Sequence, residues 1–172
     1  MKAMPAGYRV EALNAKHDRA DFRCGVAELD AYFQRHARQH SDRGVTRVFV
    51  LTQDGHTVDG FYTLSASELR TSDLPAEYAK KLPRFPAPVT LLGRFAIAAH
   101  LQGQGYGDTL LGDALKRAML GAVNVASWAV IVDAKAGARN FWLKREFLPL
   151  TTFPDRLFLT MATIRQLLGS LA

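Results

Sequence analysis

The stretch HLQGQGYGDTLLGDALKRAM, His100 to Met119, governs the reading of the whole chain. Gly103, Gly105 and Gly107 alternate there with polar or aromatic residues. Such glycines remove side chains where the backbone must turn tightly or meet a ligand closely. Leu110, Leu111, Ala114, Leu115, Ala118 and Met119 follow at helical spacing and predict a helix over 107–120. Upstream, VTLLGRFAIA reads as a buried strand that ends near Ala98. Strand, glycine turn and helix in that order form a cradle for an anion, because free N–H groups and the helix dipole converge there.

The rest of the chain frames this unit. YRVEAL (8–13) alternates as a first strand, and VAELDAYFQRHARQ (26–39) sets Val26, Leu29, Phe33 and Ala37 on one side of a helix. VTRVFVLT (45–52) and HTVDGFYTLSASEL (56–69) flank Asp54-Gly55, a hairpin signal. SDLPAEYAKKLPRFPAP (72–88) predicts a short helix and then a proline-broken loop. ASWAVIVDA (126–134) is a further apolar strand, followed by a short helix around ARNFWLKRE (138–146). RLFLTM (156–161) closes as a strand and TIRQLLGSL as a terminal helix. Antiparallel strands followed by a β-α-β unit give a mixed α/β class, a single sheet with helices on both faces. No repeat, low-complexity tract or linker divides it, so one domain spanning 1–172 is expected.

Composition narrows the function classes. A chain 48% hydrophobic and 22% charged has the balance of an ordinary soluble globular protein. It carries no apolar run long enough to cross a bilayer and no signal-peptide core, so a cytoplasmic location without a membrane partner is expected. The lone Cys24 excludes an internal disulfide and reads as a small buried hydrophobe. The net charge of +6 is concentrated late, with thirteen Lys/Arg against eight Asp/Glu over 61–172. A basic balance suits RNA or a phosphorylated cofactor, and does not alone separate these from a plain basic enzyme.

Three motifs compete for the turn. A Walker loop ends in Gly-Lys-Ser/Thr, but Gly107 is followed by Asp108 and Thr109. A dinucleotide fold wants G-x-G-x-x-G in the first β-α-β unit, and this chain has G-x-G-x-G two-thirds of the way along. The third is Gln-x-x-Gly-x-Gly, met by Gln102, Gly105 and Gly107. Here the sequence resembles the GNAT N-acetyltransferases, and within them the TacT/AtaT-type toxins of toxin–antitoxin pairs. FRCGVAELDAYFQRHARQ, DGFYTLSASEL, LPRFPAPVTLLGRFAIAAHLQGQGYGDTLLGDALKRA, VIVDAKAGARNFW and PDRLFLTM all carry the likeness, in one order over roughly residues 10–162.

The resemblance implies a GNAT fold with a central mixed sheet of about six to seven strands. It implies an acetyl-CoA-dependent enzyme that acetylates the α-amino group of aminoacyl-tRNA, with no metal, a homodimer, and a ribbon-helix-helix antitoxin. The main chain of Phe95, Ala96 and Ile97 would pair with the pantetheine. Gln102, Gly103, Gln104, Gly105, Tyr106 and Gly107 would wrap the pyrophosphate. The Ile97 N–H would stabilise the oxyanion. Arg35, Arg38, Arg84 and Arg94 would meet tRNA phosphates, which give affinity without reading sequence.

Two departures stand out. The family's Phe-Tyr pair, whose tyrosine protonates the leaving thiolate, is Phe141-Trp142 here. An indole N–H donates a hydrogen bond but does not deliver a proton as a phenol does. Trp142 then either supports the thiolate or is a core aromatic, and Tyr62 and Tyr106 are the other hydroxyls considered. The family also has glycine before the last phenylalanine of this helix, where Glu146 precedes Phe147. Either Glu146 takes a positive φ at a cost, or the helix ends differently; the second is the expectation. His36 and His40 lack the carboxylate of an H-E-x-x-H site and read as a solvated helix face. The rivals to the toxin reading are a small-amine or protein N-acetyltransferase of the same fold and a non-catalytic acyl-CoA-binding module.

Overall fold

The computed structural model describes residues 2–169. The order is β1 (Arg9–Ala12), α1 (Ala27–Arg35), α2 (Ala37–Asp42), β2 (Arg47–Thr52), β3 (Gly60–Leu69), α3 (Ala76–Ala79), β4 (Ala87–Ile97), α4 (Tyr106–Gly121), β5 (Ala129–Asp133), α5 (Arg139–Leu143), β6 (Leu148–Pro149), β7 (Arg156–Thr160) and α6 (Met161–Gly169). The strands hydrogen-bond in the order β1-β2-β3-β4-β5-β7-β6. The pairs β1–β2, β2–β3, β5–β7 and β6–β7 are antiparallel, whereas β4 and β5, the two strands that α4 connects, run parallel. The expected mixed sheet is present with seven strands.

The chain divides into two compact units, Met1–Ser65 with Gly93–Ala114, and Ala66–Leu92 with Leu115–Ala172. In the first, successive residues of β3 point to opposite faces. Phe61 packs against Phe33 of α1 at 4.4 Å and against Phe22 at 5.4 Å. A Cβ on the neighbouring Gly60 would instead meet Leu110 of α4 and the Ala96 carbonyl. Helices therefore cover both faces of this part of the sheet, as expected. Cys24 lies in the same core; burial, reinforced by Asp30, pushes its thiol up to about 11.

In the second unit Ala129–Val132 of β5 are buried on both sides, the near-continuous apolar run of a covered strand. Trp128, Phe158 and Tyr78 pack ring on ring beneath it, at 5.2 to 6.2 Å.

Three expectations need correction. The helix read over 26–39 is two helices, broken at His36, whose φ of −121° leaves the helical region. No Gly or Pro marks that break, so the local sequence did not carry it. The short strand β6 was not expected; it pairs Leu148 with Phe158 and Pro149 with Leu157. The hairpin forms, but β3 begins only at Gly60, because residues 53–59 fold around one carboxylate. The terminal helix is present to Gly169, and the end of the expected segment lies outside the described residues.

That carboxylate is Asp54. Its Oδ1 accepts the main-chain N–H groups of His56 (2.8 Å) and Thr57 (2.7 Å), and Oδ2 accepts the Thr57 hydroxyl. These donors favour the charged form and hold the carboxyl's titration well below the usual carboxylate range. The stability it contributes is present above about pH 4, its ordinary titration range, and is lost as the pH falls. Asp54→Asn should therefore narrow the difference in melting temperature between pH 6 and pH 3 relative to the parent protein. An unchanged difference would show that the loop does not depend on that charge.

Candidate functional site

The expected site begins on β4. Its ladder with β5 runs from Val89↔Ala129 to Leu92↔Val132, and Phe95, Ala96 and Ile97 lie beyond the last of these pairs. Ala96 and Ile97 are buried. The strand is locked from the other side: the Arg94 N–H donates to the Thr63 hydroxyl, and the Ala98 N–H to the Asp59 carbonyl. A strand continuing past its neighbour offers main-chain groups for an extended ligand to add to the sheet.

The chain then turns into α4. Gly103 and Gly105 take φ of +78° and +90°, where a Cβ costs about 1–2 kcal/mol, whereas Gly107 lies within the first helical turn without a positive φ. Nothing lies within 4 Å of a Cβ placed on Gly103, so its outer side is open. The first N–H groups of α4 have no intrahelical acceptor and point along the positive end of the dipole. The turn is thus a preformed anion cradle.

Gln102 and Gln104 shape this cradle with their side chains. Gln102 Nε2 donates to the carbonyls of Cys24 (2.6 Å) and Ile97 (2.9 Å), tying the turn to the strand end and to the loop before α1. Gln104 Nε2 donates to the His100 carbonyl. Both side-chain amides are committed within the fold.

Tyr106 opens α4 against Tyr8, ring centroids 5.2 Å apart. Burial, with the Asp59 charge and hydrogen bonds to Tyr106 and Asp59, raises the Tyr8 phenol and keeps it protonated. Sequence reading missed this knot, since 51 residues separate Tyr8 from Asp59 and no motif links them. A cavity of about 250 Å³ opens nearby, lined by Asp18, Asp21, Asp59, Arg23 and His100 among others. Three carboxylates in its lining suit a polyanion poorly.

Among the arginines, Arg94 stacks its guanidinium 3.7 Å above the Tyr32 ring and remains exposed. Arg35 is exposed at the end of α1, and Arg38 on α2 pairs with Asp42 at 3.2 Å. Arg84 is exposed in the loop before β4, in the other unit from these three. Tyr62 is fully buried and donates to Asp113 at 2.5 Å, so its hydroxyl already has an acceptor on α4.

Trp142 belongs to the second unit and is buried, its ring edge-on to Phe141 (4.9 Å) and Phe147 (5.2 Å). Its place follows from how the helix ends. The Phe147 N–H returns to the Trp142 carbonyl and the Glu146 N–H to that of Leu143. With the Trp142–Phe147 contact, these bonds form a Schellman motif. Its left-handed position holds Glu146, at φ +68° the one non-glycine with positive φ among the described residues. The expectation that the helix ends differently is overturned: the glycine-type ending is kept and the strain accepted. Glu146→Gly should raise stability by about 0.5–1 kcal/mol, the relief of a left-handed residue less the entropy of glycine. Urea unfolding checks this, and a loss of stability would place the strain elsewhere.

A seven-stranded mixed sheet, a strand running past its parallel neighbour and a glycine turn capping a long helix together define the acyl-CoA-dependent N-acetyltransferase architecture. No family model matches the chain. A probable toxin TacT from Sinorhizobium fredii is 35% identical over 168 residues, covering 90% of this chain and 91% of the relative. A tRNA-acetylating toxin from Mycobacterium tuberculosis is 35% identical over 153 residues, covering 88% and 91%. AtaT complexed with acetyl-methionyl-tRNAfMet superimposes with a TM-score of 0.87 at 28% identity, covering 94% of this chain and 99% of that one. A tyrosine-to-phenylalanine AtaT variant bound to the C-terminus of the antitoxin AtaR and acetyl-CoA gives 0.82 at 26%, covering 94% and 98%. The chain belongs to the TacT/AtaT-type family of GNAT tRNA-acetylating toxins.

Proposed function

We propose that this chain moves the acetyl group of acetyl-CoA to the α-amino group of aminoacyl-tRNA and thereby stops translation. The observation that carries the proposal is β4 passing its last β5 pair and delivering the chain into an anion-binding glycine turn. The relatives that share this architecture include a tRNA-acetylating toxin and an AtaT complex with acetylated methionyl-tRNA.

In this reading Phe95, Ala96 and Ile97 hold the pantetheine through the main chain, and Gln102 to Gly107 hold the diphosphate. Acetyl-CoA supplies an activated thioester. The protein positions it, and the Ile97 N–H meets the negative charge that grows on the carbonyl oxygen. An α-amino group has a reference pKa of ~7.7–8.0, so a useful fraction is neutral near pH 7 and a strong base is unnecessary. Positioning supplies most of the acceleration. Trp142 takes the family tyrosine's place and stabilises the leaving sulfur by hydrogen bonding, with water completing its protonation. Arg35, Arg38, Arg84 and Arg94 contact tRNA phosphates; for Arg38 this means exchanging Asp42 for a phosphate. The same reading gives a single GNAT domain, a cytoplasmic homodimer and a ribbon-helix-helix antitoxin. Neighbouring AtaT structures that hold the antitoxin AtaR support the last in kind.

The packing of Trp142 between two phenylalanines favours one second reading, a slow enzyme or an acyl-CoA-binding module. A cell-free translation reaction separates the two. Under the first reading, protein synthesis stops when the chain and acetyl-CoA are added together and continues when either is omitted. Continued synthesis with both present favours the second.

A further inference from the structure

The segment ahead of β1 lies across the glycine turn. The Thr109 hydroxyl of α4 lies 3.4 Å from the carbonyls of both Ala3 and Gly105, and Tyr8 packs against Tyr106. This route brings Lys2 over the turn: a Cβ built on Gly105 would sit 2.8 Å from its Nζ and 3.2 Å from its Cδ. Gly105 therefore serves twice, adopting φ +90° and leaving room for a lysine.

The electrostatics of this placement point to a ligand. A helix N-terminus carries about half a positive charge, and an ammonium beside it faces a potential of its own sign. Cations belong at helix C-termini, where they stabilise. Asp108 in the first turn offsets part of the repulsion. The arrangement becomes fully favourable when a dianion lies between the two positive groups, accepting from the ammonium on one side and from the turn's N–H groups on the other. The knot of Tyr8, Tyr106 and Asp59 anchors the segment at Tyr8 independently of Lys2, so its route past the turn does not depend on the lysine.

We propose that Lys2 is a further ligand of the acyl-CoA diphosphate and that residues 2–8 form a strap closing the cofactor turn. This rests on the acetyl-CoA reading above and adds to it a residue from outside the strand-turn-helix unit.

Calorimetric titration of the full chain with three ligands tests it: acetyl-CoA, its 3′-dephospho form, and S-acetyl-pantetheine, which lacks the diphosphate. Lys2→Gln should bind acetyl-CoA and the dephospho form about tenfold more weakly, the low end for a charge-assisted contact. S-acetyl-pantetheine should bind parent and variant alike, Lys2→Arg should restore most of the affinity, and the salt dependence should flatten in Lys2→Gln. Equal affinities of parent and Lys2→Gln for acetyl-CoA would overturn the proposal. So would a loss absent from the dephospho form, which would assign Lys2 to the 3′-phosphate, or a loss shared by S-acetyl-pantetheine. A parent protein that binds none of the three overturns the acetyl-CoA reading itself.

Discussion

Gly105→Val is expected to bind acetyl-CoA at least about a hundredfold more weakly than the parent protein, by calorimetry, while remaining folded. Gly105 holds φ +90°, which a β-branched residue does not adopt without strain, so the turn must rotate its peptide planes. Rotation swings the N–H groups away from the point on which they converge. Hydrogen bonds to charged groups contribute ~1.5–3 kcal/mol each, so losing two gives ~10²–10⁴ in affinity. The fold suffers far less, because the turn is at the surface and strain there is about 1–2 kcal/mol. The new Cβ meets only the far end of the Lys2 side chain, which can move. Parent-like affinity would mean that the diphosphate lies somewhere other than this turn.

Trp142→Tyr carries the second large effect, in the opposite direction. A positioned proton donor contributes ~10²–10⁴-fold, and an indole provides only the hydrogen-bonding part of that. The variant should raise kcat for transfer to aminoacyl-tRNA by about tenfold or more, less than the full effect of a positioned donor, because the phenol enters a slot shaped for a larger ring. KM for acetyl-CoA should stay within about twofold, since a change acting only in the transition state leaves binding alone. Some stability should be lost, a fraction of the ~3–5 kcal/mol that full truncation of a buried tryptophan costs. A folded variant with an unchanged rate would make Trp142 a packing residue, held by Phe141 and Phe147 and by the helix ending it completes.

What was legible in the sequence follows from how local each feature is. Strand, turn and helix from Val89 to Met119 were readable because periodicity, glycine chemistry and helix length are properties of consecutive residues. The parallel β4–β5 pair followed from the crossover that joins them. The break at His36 was not readable, because no Gly or Pro interrupts VAELDAYFQRHARQ. Glu146 shows the converse: resemblance flagged the position, and only the backbone decided that an acidic residue takes the left-handed place. The two-residue β6 carries too little pattern to be seen, and its pairing with β7 creates it.

The site divides along the same line. The glycines and β4 were visible as a motif. The tasks of Gln102 and Gln104 were not, since their acceptors are the carbonyls of Cys24, Ile97 and His100, and which of these a side chain reaches depends on the fold. Lys2 and Tyr8 reach the turn from about a hundred residues away along the chain, a distance no local pattern spans.

The most direct measurement is incorporation of radiolabelled acetyl from acetyl-CoA into tRNA, comparing a fully charged pool with the same pool deacylated. Label in the charged pool alone, released by mild base together with the amino acid, is the expected result. Label in both pools, or in neither while acetyl-CoA binds, would contradict it.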